Sequence, residues 1–129
     1  MTLPTITVAA AVIERDGKIL ITRRRVGAHL GGLWEFPGGK PEAGESLEAA
    51  LRREMGEELD TDVDVGERIE TVEWEYPDKR VRLVFFGCEL RGEPRPLEGQ
   101  EMAWVARADL AAYEFPPADA TLIERLSRR

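Results

Sequence analysis

Gly38-Gly39-Lys40-Pro41-Glu42-Ala43-Gly44-Glu45, continued by Arg53-Glu54-Met55-Gly56-Glu57-Glu58, is the stretch on which the reading of this chain turns. Between and beyond these residues, Leu47, Leu51, Met55 and Leu59 recur every fourth position with Ala50 beside them. That is the buried stripe of an amphipathic helix. Ser46 suits its N-cap, and Glu48 sits in its first turn, where negative charge is favoured. At 100° per residue, Glu58 lies about 40° from Glu54 and Glu57 about 60° on the other side. Three carboxylates therefore share a sector of about 100° on the outer face. Like charges at this spacing cost a few tenths of a kcal/mol per pair on an exposed helix. Such a face is either simply solvated or gathered around a cation. The glycine-rich loop after Pro37 favours the second reading, because it lets backbone approach a ligand and present carbonyls or amides. Carboxylate and carbonyl oxygens together suit Mg²⁺, with Mn²⁺ as a substitute.

Outward from the helix the pattern changes period. Ile6 to Ile13 is a short run rich in Val, Ile and Ala and reads as a buried strand. Asp16-Gly17 marks a turn, and Lys18 to Arg24 a returning strand. Trp34-Glu35-Phe36 is a short extended piece stopped by Pro37. Val63 and Val65 alternate. Thr71 to Tyr76 and Arg80 to Glu89 form a hairpin through Pro77-Asp78-Lys79. Gly92 to Pro96 is a surface loop, Met102 to Val105 a short strand, and Asp109 to Tyr113 a helical turn. Asp119 to Leu126 is a C-terminal helix that buries Leu122, Ile123 and Leu126. Interspersed strands and helices give an α/β (α+β) chain, a mixed sheet with helices on both faces.

Composition narrows the partners. The 129 residues are expected to form one domain. A formal net charge of −7 disfavours nucleic acid, although a bound metal would still admit a nucleotide. Cys88 is the only cysteine and lies in an apolar run, so core packing and a reducing cytoplasm are expected. Nothing in the N-terminal residues reads as a secretory signal or a membrane span.

The spacing Gly39, five residues, Glu45, seven residues, Arg53-Glu54-Met55-x-Glu57-Glu58 resembles the signature of the Nudix hydrolases, here spanning about residues 39–61. Beyond it, Ile21-Thr22-Arg23-Arg24, Ala28-His29, Glu35 to Lys40, Glu75 to Asp78, Glu98-Gly99-Gln100 and Phe115 to Ala118 look like the MutT branch. The resemblance implies an α/β/α sandwich and metal-dependent hydrolysis of a nucleoside triphosphate to monophosphate and pyrophosphate. In that branch the substrate is 8-oxo-dGTP and attack falls on the β-phosphorus.

The same resemblance assigns candidate roles. The Gly38 carbonyl, Glu54, Glu57, Glu58 and Glu98 look like metal ligands, with Glu54 or Glu98 as the base. Glu45 and Arg53 look like residues that hold the ligands, and Lys40 like a stabiliser of phosphate charge. Arg24, His29, Phe36, Lys79 and Asp119 match positions lining the nucleotide pocket. Lys79 stands where the branch has arginine, giving a point charge in place of a planar fork. Asp119 stands where it has asparagine. Ionised Asp only accepts, which suits the cytosine N4 amine, whereas a protonated Asp in a dry pocket regains a donor. Asp119 also suits a helix cap. A cytidine nucleotide pyrophosphohydrolase is therefore the alternative within the superfamily, and a non-catalytic nucleotide-binding module the alternative outside it. Trp34, Trp74 and Trp104 read as core or pocket wall. Two further departures flank the helix end. Asp60 replaces the family's glycine and Thr61 an aliphatic residue, leaving the helix stop without its usual left-handed glycine. A monomer or homodimer is expected.

Overall fold

The computed structural model describes residues 2–23, 27 and 31–128. Strand β1 (Thr5–Arg15) is its spine. Along one edge β1 pairs in parallel with β6 (Arg80–Leu90), Ala9 opposite Val84 and Ala10 opposite Phe85. β6 in turn pairs antiparallel with β5 (Val63–Glu75). Along its other edge β1 takes two partners in succession. The two-residue strand β4 (Gly38–Gly39) lies against Ala9 and Ala10. β2 (Lys18–Arg23) meets the end of β1 through the Asp16-Gly17 turn. Both turn residues have positive φ, 53° and 78°, the twist that lets two residues reverse a strand. β2 is flanked by β3 (Trp34–Glu35) and β7 (Glu101–Ala106), both antiparallel to it, and with the parallel β1–β6 pair the sheet is mixed.

Side chains alternate across this sheet with period two. Ala9, Ala11 and Ile13 of β1, with Val84, Phe86 and Cys88 of β6, pack on one face. Helix α1 (Leu47–Leu59) covers that face with Leu51, Met55 and Leu59. Ala10, Val12 and Phe85 point the other way, toward Leu122, Ile123 and Leu126 of α2 (Ala120–Ser127). The result is the expected sandwich of helix, sheet and helix. Each fully buried aliphatic side chain contributes roughly 1.5–3 kcal/mol, and the small Ala9, Ala10 and Ala11 let both helices approach the spine. Cys88 is buried in the α1 face, and desolvation pushes its thiol up to about 11. Among the described residues no helix is long and apolar enough to cross a membrane.

The layers are uneven, and the unevenness makes the cavity. α2 covers only part of its face. Ile6 and Val8 of β1, register partners of Val81 and Leu83, continue the row of Ala10 and Phe85 but stay only half-buried. They form an apolar floor.

The structure departs from the sequence reading at four places. Val63-Val65 and Thr71–Glu75 belong to one strand, with Tyr76 in the turn that follows, and register shifts between Val65 and Glu70 that the alternation rule cannot follow bend it. Gly38-Gly39 are a rung of the sheet, not a free loop. The last helix starts at Ala120, after a 3-10 turn at Pro117–Asp119. Trp74 stands out from β5, 38% exposed, and is neither core nor pocket wall.

Candidate active site

A cavity of about 580 Å³ runs from the apolar floor to the outer face of α1. Glu54, Glu57 and Glu58 enter it from the helix, Gly38, Gly39 and Lys40 from β4 and the turn after it, and Glu98 from the segment between β6 and β7. Residues separated by sixty positions thus meet at one end of one cleft.

The helix is fixed at both ends. The Ser46 hydroxyl accepts from the Ala49 amide at 3.1 Å, the expected N-cap. Asp60 adopts the left-handed conformation, φ 52° and ψ 40°, that the family's glycine would supply. Its carboxylate pairs with Arg95, which answers the unfavourable charge at the helix C-terminus.

Arg53 organises the carboxylates. Its guanidinium holds Glu45 through two bonds, Nε and Nη2 each at 2.9 Å from a carboxylate oxygen. Nη1 donates to Glu54 at 2.9 Å and Glu57 at 3.0 Å, and Nη2 also donates to the Lys40 carbonyl at 3.0 Å. One planar fork so ties the helix, the loop carrying Glu45 and the turn after β4 together, a task an ammonium could not perform. Glu45 also accepts from the Glu42 amide at 2.8 Å. Its carboxyl is held down to about 2, first by Arg53 and then by that amide. Glu54 behaves oppositely. Burial raises its pKa, partly countered by Arg53.

Gly39 is needed for a geometric reason. A Cβ there would stand 1.8 Å from Oε2 of Glu54. A Cβ on Gly38 would stand 2.0 Å from the Ala9 carbonyl oxygen. The two glycines let β4 lie flat between the spine and the acidic helix face.

The donors here are hard oxygens on a short backbone and a helix, the set that suits Mg²⁺ or Mn²⁺ in place of a softer metal. Among the described residues these oxygens do not converge on a single point. Glu54 and Glu57 turn toward Arg53 instead, as mutually repelling carboxylates do when a guanidinium is within reach. The residues fit a divalent ion, which would compete with Arg53 for the same oxygens.

At the other end, Ile6, Val8, Val81 and Leu83 form the floor, with Phe36 and Asp119 also lining the cavity. Phe36 is wedged between Phe85, edge-on at 5.8 Å, and Phe115, stacked at 5.3 Å. Lys79, in the β5–β6 turn, lies 5.8 Å from the Tyr76 ring, and both line the mouth. Asp119 is buried and makes no side-chain capping bond to α2, so it is not the helix cap that its position suggests. The 3-10 turn before the helix carries the chain past the capping geometry and turns the carboxyl toward the cavity. Desolvation, followed by the nearby charge of Glu35, pushes Asp119 up to about 7. Arg24 and His29 lie outside the described residues.

Several pocket residues carry no signal of their own in the sequence: Glu35, Tyr76, Gln100 and the four floor positions. Glu35, Tyr76 and Gln100 sit inside family-like stretches without a pattern that gives them a role. Floor residues are indistinguishable from core until the reach of α2 is known. Trp34 packs edge-on against Tyr113, and Trp104 lies under Arg15, both among the core contacts.

This arrangement, an acidic helix face braced by arginine beside a nucleotide-sized slot, has close counterparts. Residues 8–125 match the NUDIX domain family, and the chain belongs to it. It is 44% identical over 123 residues to an 8-oxo-dGTP diphosphatase of Haemophilus influenzae, spanning 94% of this chain and 90% of that one. It is 38% identical over 120 residues to a CTP pyrophosphohydrolase of Escherichia coli, spanning 92% and 89%. The solution structure of the E. coli ORF135 protein superimposes with a TM-score of 0.84 at 37% identity, covering 95% of this chain and 88% of that one. The chain is a Nudix hydrolase, an enzyme acting on phosphoric anhydrides.

Proposed function

We propose that this enzyme hydrolyses nucleoside triphosphates to monophosphate and pyrophosphate with Mg²⁺, Mn²⁺ substituting. Its substrate is 8-oxo-dGTP, an oxidised nucleotide cleared from the cytoplasmic precursor pool of DNA. The observation that carries this reading is the division of one cavity into two ends. One end is acidic oxygen and Lys40, and the other an apolar slot closed by a single buried carboxyl, Asp119. A triphosphate and a base divide in the same way.

A divalent metal, held by Glu54, Glu57, Glu58, Glu98 and the Gly38 carbonyl, would supply charge neutralisation and a more acidic water. The protein's own groups do the rest. Arg53 and Glu45 hold the carboxylates in register, and Lys40 faces phosphate charge. Glu54 or Glu98 takes the proton of the attacking water. The new bond joins that water's oxygen to the β-phosphorus. The bond that breaks is from the β-phosphorus to the oxygen bridging to the α-phosphorus, and that oxygen leaves with the monophosphate.

Asp119 decides the base. With its carboxyl near 7, a large share is protonated at neutral pH. A neutral acid offers one donor and one acceptor, the pattern an asparagine amide would present to 8-oxoguanine. The ionised form, accepting only, favours the N4 amine of cytosine. The second reading, CTP or 5-methyl-dCTP as substrate, rests on that form and on the similarity to the CTP pyrophosphohydrolase.

A competitive panel of 8-oxo-dGTP, dGTP, CTP, 5-methyl-dCTP, dATP and ADP-ribose, run in ¹⁸O-water, tests the proposal. Earliest consumption of 8-oxo-dGTP with label in pyrophosphate supports it. Earliest consumption of a cytidine nucleotide selects the second reading. Turnover of ADP-ribose alone, or of nothing, overturns both. Label in the monophosphate moves the attack to the α-phosphorus.

A further inference from the structure

The C-terminal turn of α1 ends beside the cavity, where its last carbonyls lack partners within the helix. The segment between β6 and β7 supplies them. The Arg95 amide donates to the Leu59 carbonyl at 2.7 Å, and the Leu97 amide to the Glu58 carbonyl at 3.0 Å. Gln100 adds the decisive bridge. Its Nε2 donates to the same Glu58 carbonyl at 3.1 Å, while its Oε1 accepts from the Glu98 amide at 2.9 Å. The turn that allows this runs through Gly99, whose φ of 73° folds Gln100 back over Glu98. Farther out, Arg95 pairs with Asp60.

We propose that Gln100 is a positioning residue for Glu98. Its amide spans the backbone of Glu58 and the backbone of Glu98, and so fixes the distance between two cavity-lining carboxylates that are forty residues apart in sequence. Both ends of the amide are used, one as donor and one as acceptor, so no other side chain of similar length can replace it. A glutamate would keep the acceptor but face the Glu58 carbonyl with charge. The Asp60–Arg95 pair is the outer, weaker tether. Both of its side chains are largely exposed, so solvent screening leaves such a pair weak. The inference rests on the reading that Glu98 works at the phosphate end of the cavity.

The test compares Gln100→Met, Gln100→Glu and Glu98→Gln, each alone, and Gln100→Met in the Glu98→Gln background. Gln100→Met is expected to lower kcat about 10–100-fold and raise the Mg²⁺ concentration for half-maximal rate, as lost support of a metal ligand does. KM for the nucleotide at saturating Mg²⁺ should stay as it was, since Gln100 supports the phosphate end and not the base slot. Gln100→Glu should fall with Gln100→Met. In the Glu98→Gln background the same Gln100→Met change should cost almost nothing more, because one residue acts through the other. In the metal-free protein, hydrogen exchange at the Glu98 amide should speed up in Gln100→Met. An unchanged exchange rate, or a full additional loss in the double variant, overturns the positioning role. Normal kcat in Glu98→Gln alone overturns instead the catalytic reading of Glu98, whatever the exchange shows.

Discussion

The two ends of the cavity are built by different rules. The acidic end is mostly local: Glu45, Arg53, Glu54, Glu57 and Glu58 lie within fourteen residues, and Glu98 joins them from forty residues beyond Glu58. The geometry of the local five follows from helix pitch and one bidentate guanidinium. The other end, proposed to take the base, is assembled from β1, β3, β6, the β5–β6 turn and the 3-10 turn before α2. Its one buried carboxyl among the described residues is Asp119, whose protonation is set by burial and then by the nearby charge of Glu35. The first end is fixed by spacing and is expected to be brittle. The second is fixed by packing and is expected to tune.

The brittle end gives the largest effects. Removing divalent metal with a chelator should abolish turnover, and Mg²⁺ or Mn²⁺ should restore it. Hydrolysis that survives chelation would exclude the carboxylates as a metal site. Glu54→Gln keeps size and most hydrogen bonds but loses the charge, and kcat should fall by at least about 10³. Near-normal turnover would place the chemistry elsewhere.

Gly39→Ala attacks the same end without touching a carboxylate. The added methyl would stand 1.8 Å from Oε2 of Glu54, so the side chain or β4 must move. A displacement of about an ångström at a reacting group costs on the order of 10² in rate. The expected outcome is that loss in kcat with the fold retained by circular dichroism. A rate within twofold of the parent would mean that Glu54 relaxes freely and that its fixed position is unimportant.

The same contrast explains what is legible in the sequence. The amphipathic stripe of α1, the Ser46 cap and the Arg53 cluster are local facts, and the structure shows each of them. The sandwich is legible too, because strands of alternating burial and two helical stripes admit few arrangements. The base end is not. The half-open row of Ile6 and Val8 depends on how far α2 reaches across the sheet, and the β5 irregularity and the exposure of Trp74 are likewise encoded by no local pattern. The sequence shows that the role of Asp119 turns on its protonation, but only its neighbours in space decide the matter. Glu35, adjacent in sequence to Phe36 and distant from Asp119, supplies part of the push.

At the tuning end the effects are smaller and graded. Asp119→Asn replaces a titrating acid by a fixed donor and acceptor. It should shift the ratio of kcat/KM for 8-oxo-dGTP over CTP upward, by about tenfold for one well-placed hydrogen bond to the base. The parent enzyme should show the same ratio rising as pH falls from 8 to 6, and the variant should not. A pH-independent ratio in the parent, or an unchanged profile in the variant, would remove Asp119 from base recognition.

Asp119 also predicts a pH dependence of stability whose sign differs from that of a salt-bridged carboxylate. Its folded pKa of about 7 lies above the unfolded value of about 3.9. Between these values the folded state binds more protons than the unfolded state, so stability falls as pH rises. The stabilising contribution is full below about pH 4 and lost by about pH 7, up to about 4 kcal/mol for a shift of this size. Asn cannot titrate. The difference in unfolding free energy, Asp119→Asn minus parent, should therefore grow between pH 4 and pH 7 and then level off. Urea unfolding of the metal-free, nucleotide-free proteins across that range measures it. Glu45, held near 2 by Arg53, would produce the opposite slope, but below about pH 4.5 and in both proteins alike. A flat difference between pH 4.5 and 8 would mean that water reaches Asp119, and the donor needed for 8-oxoguanine would then have to come from another residue of the slot.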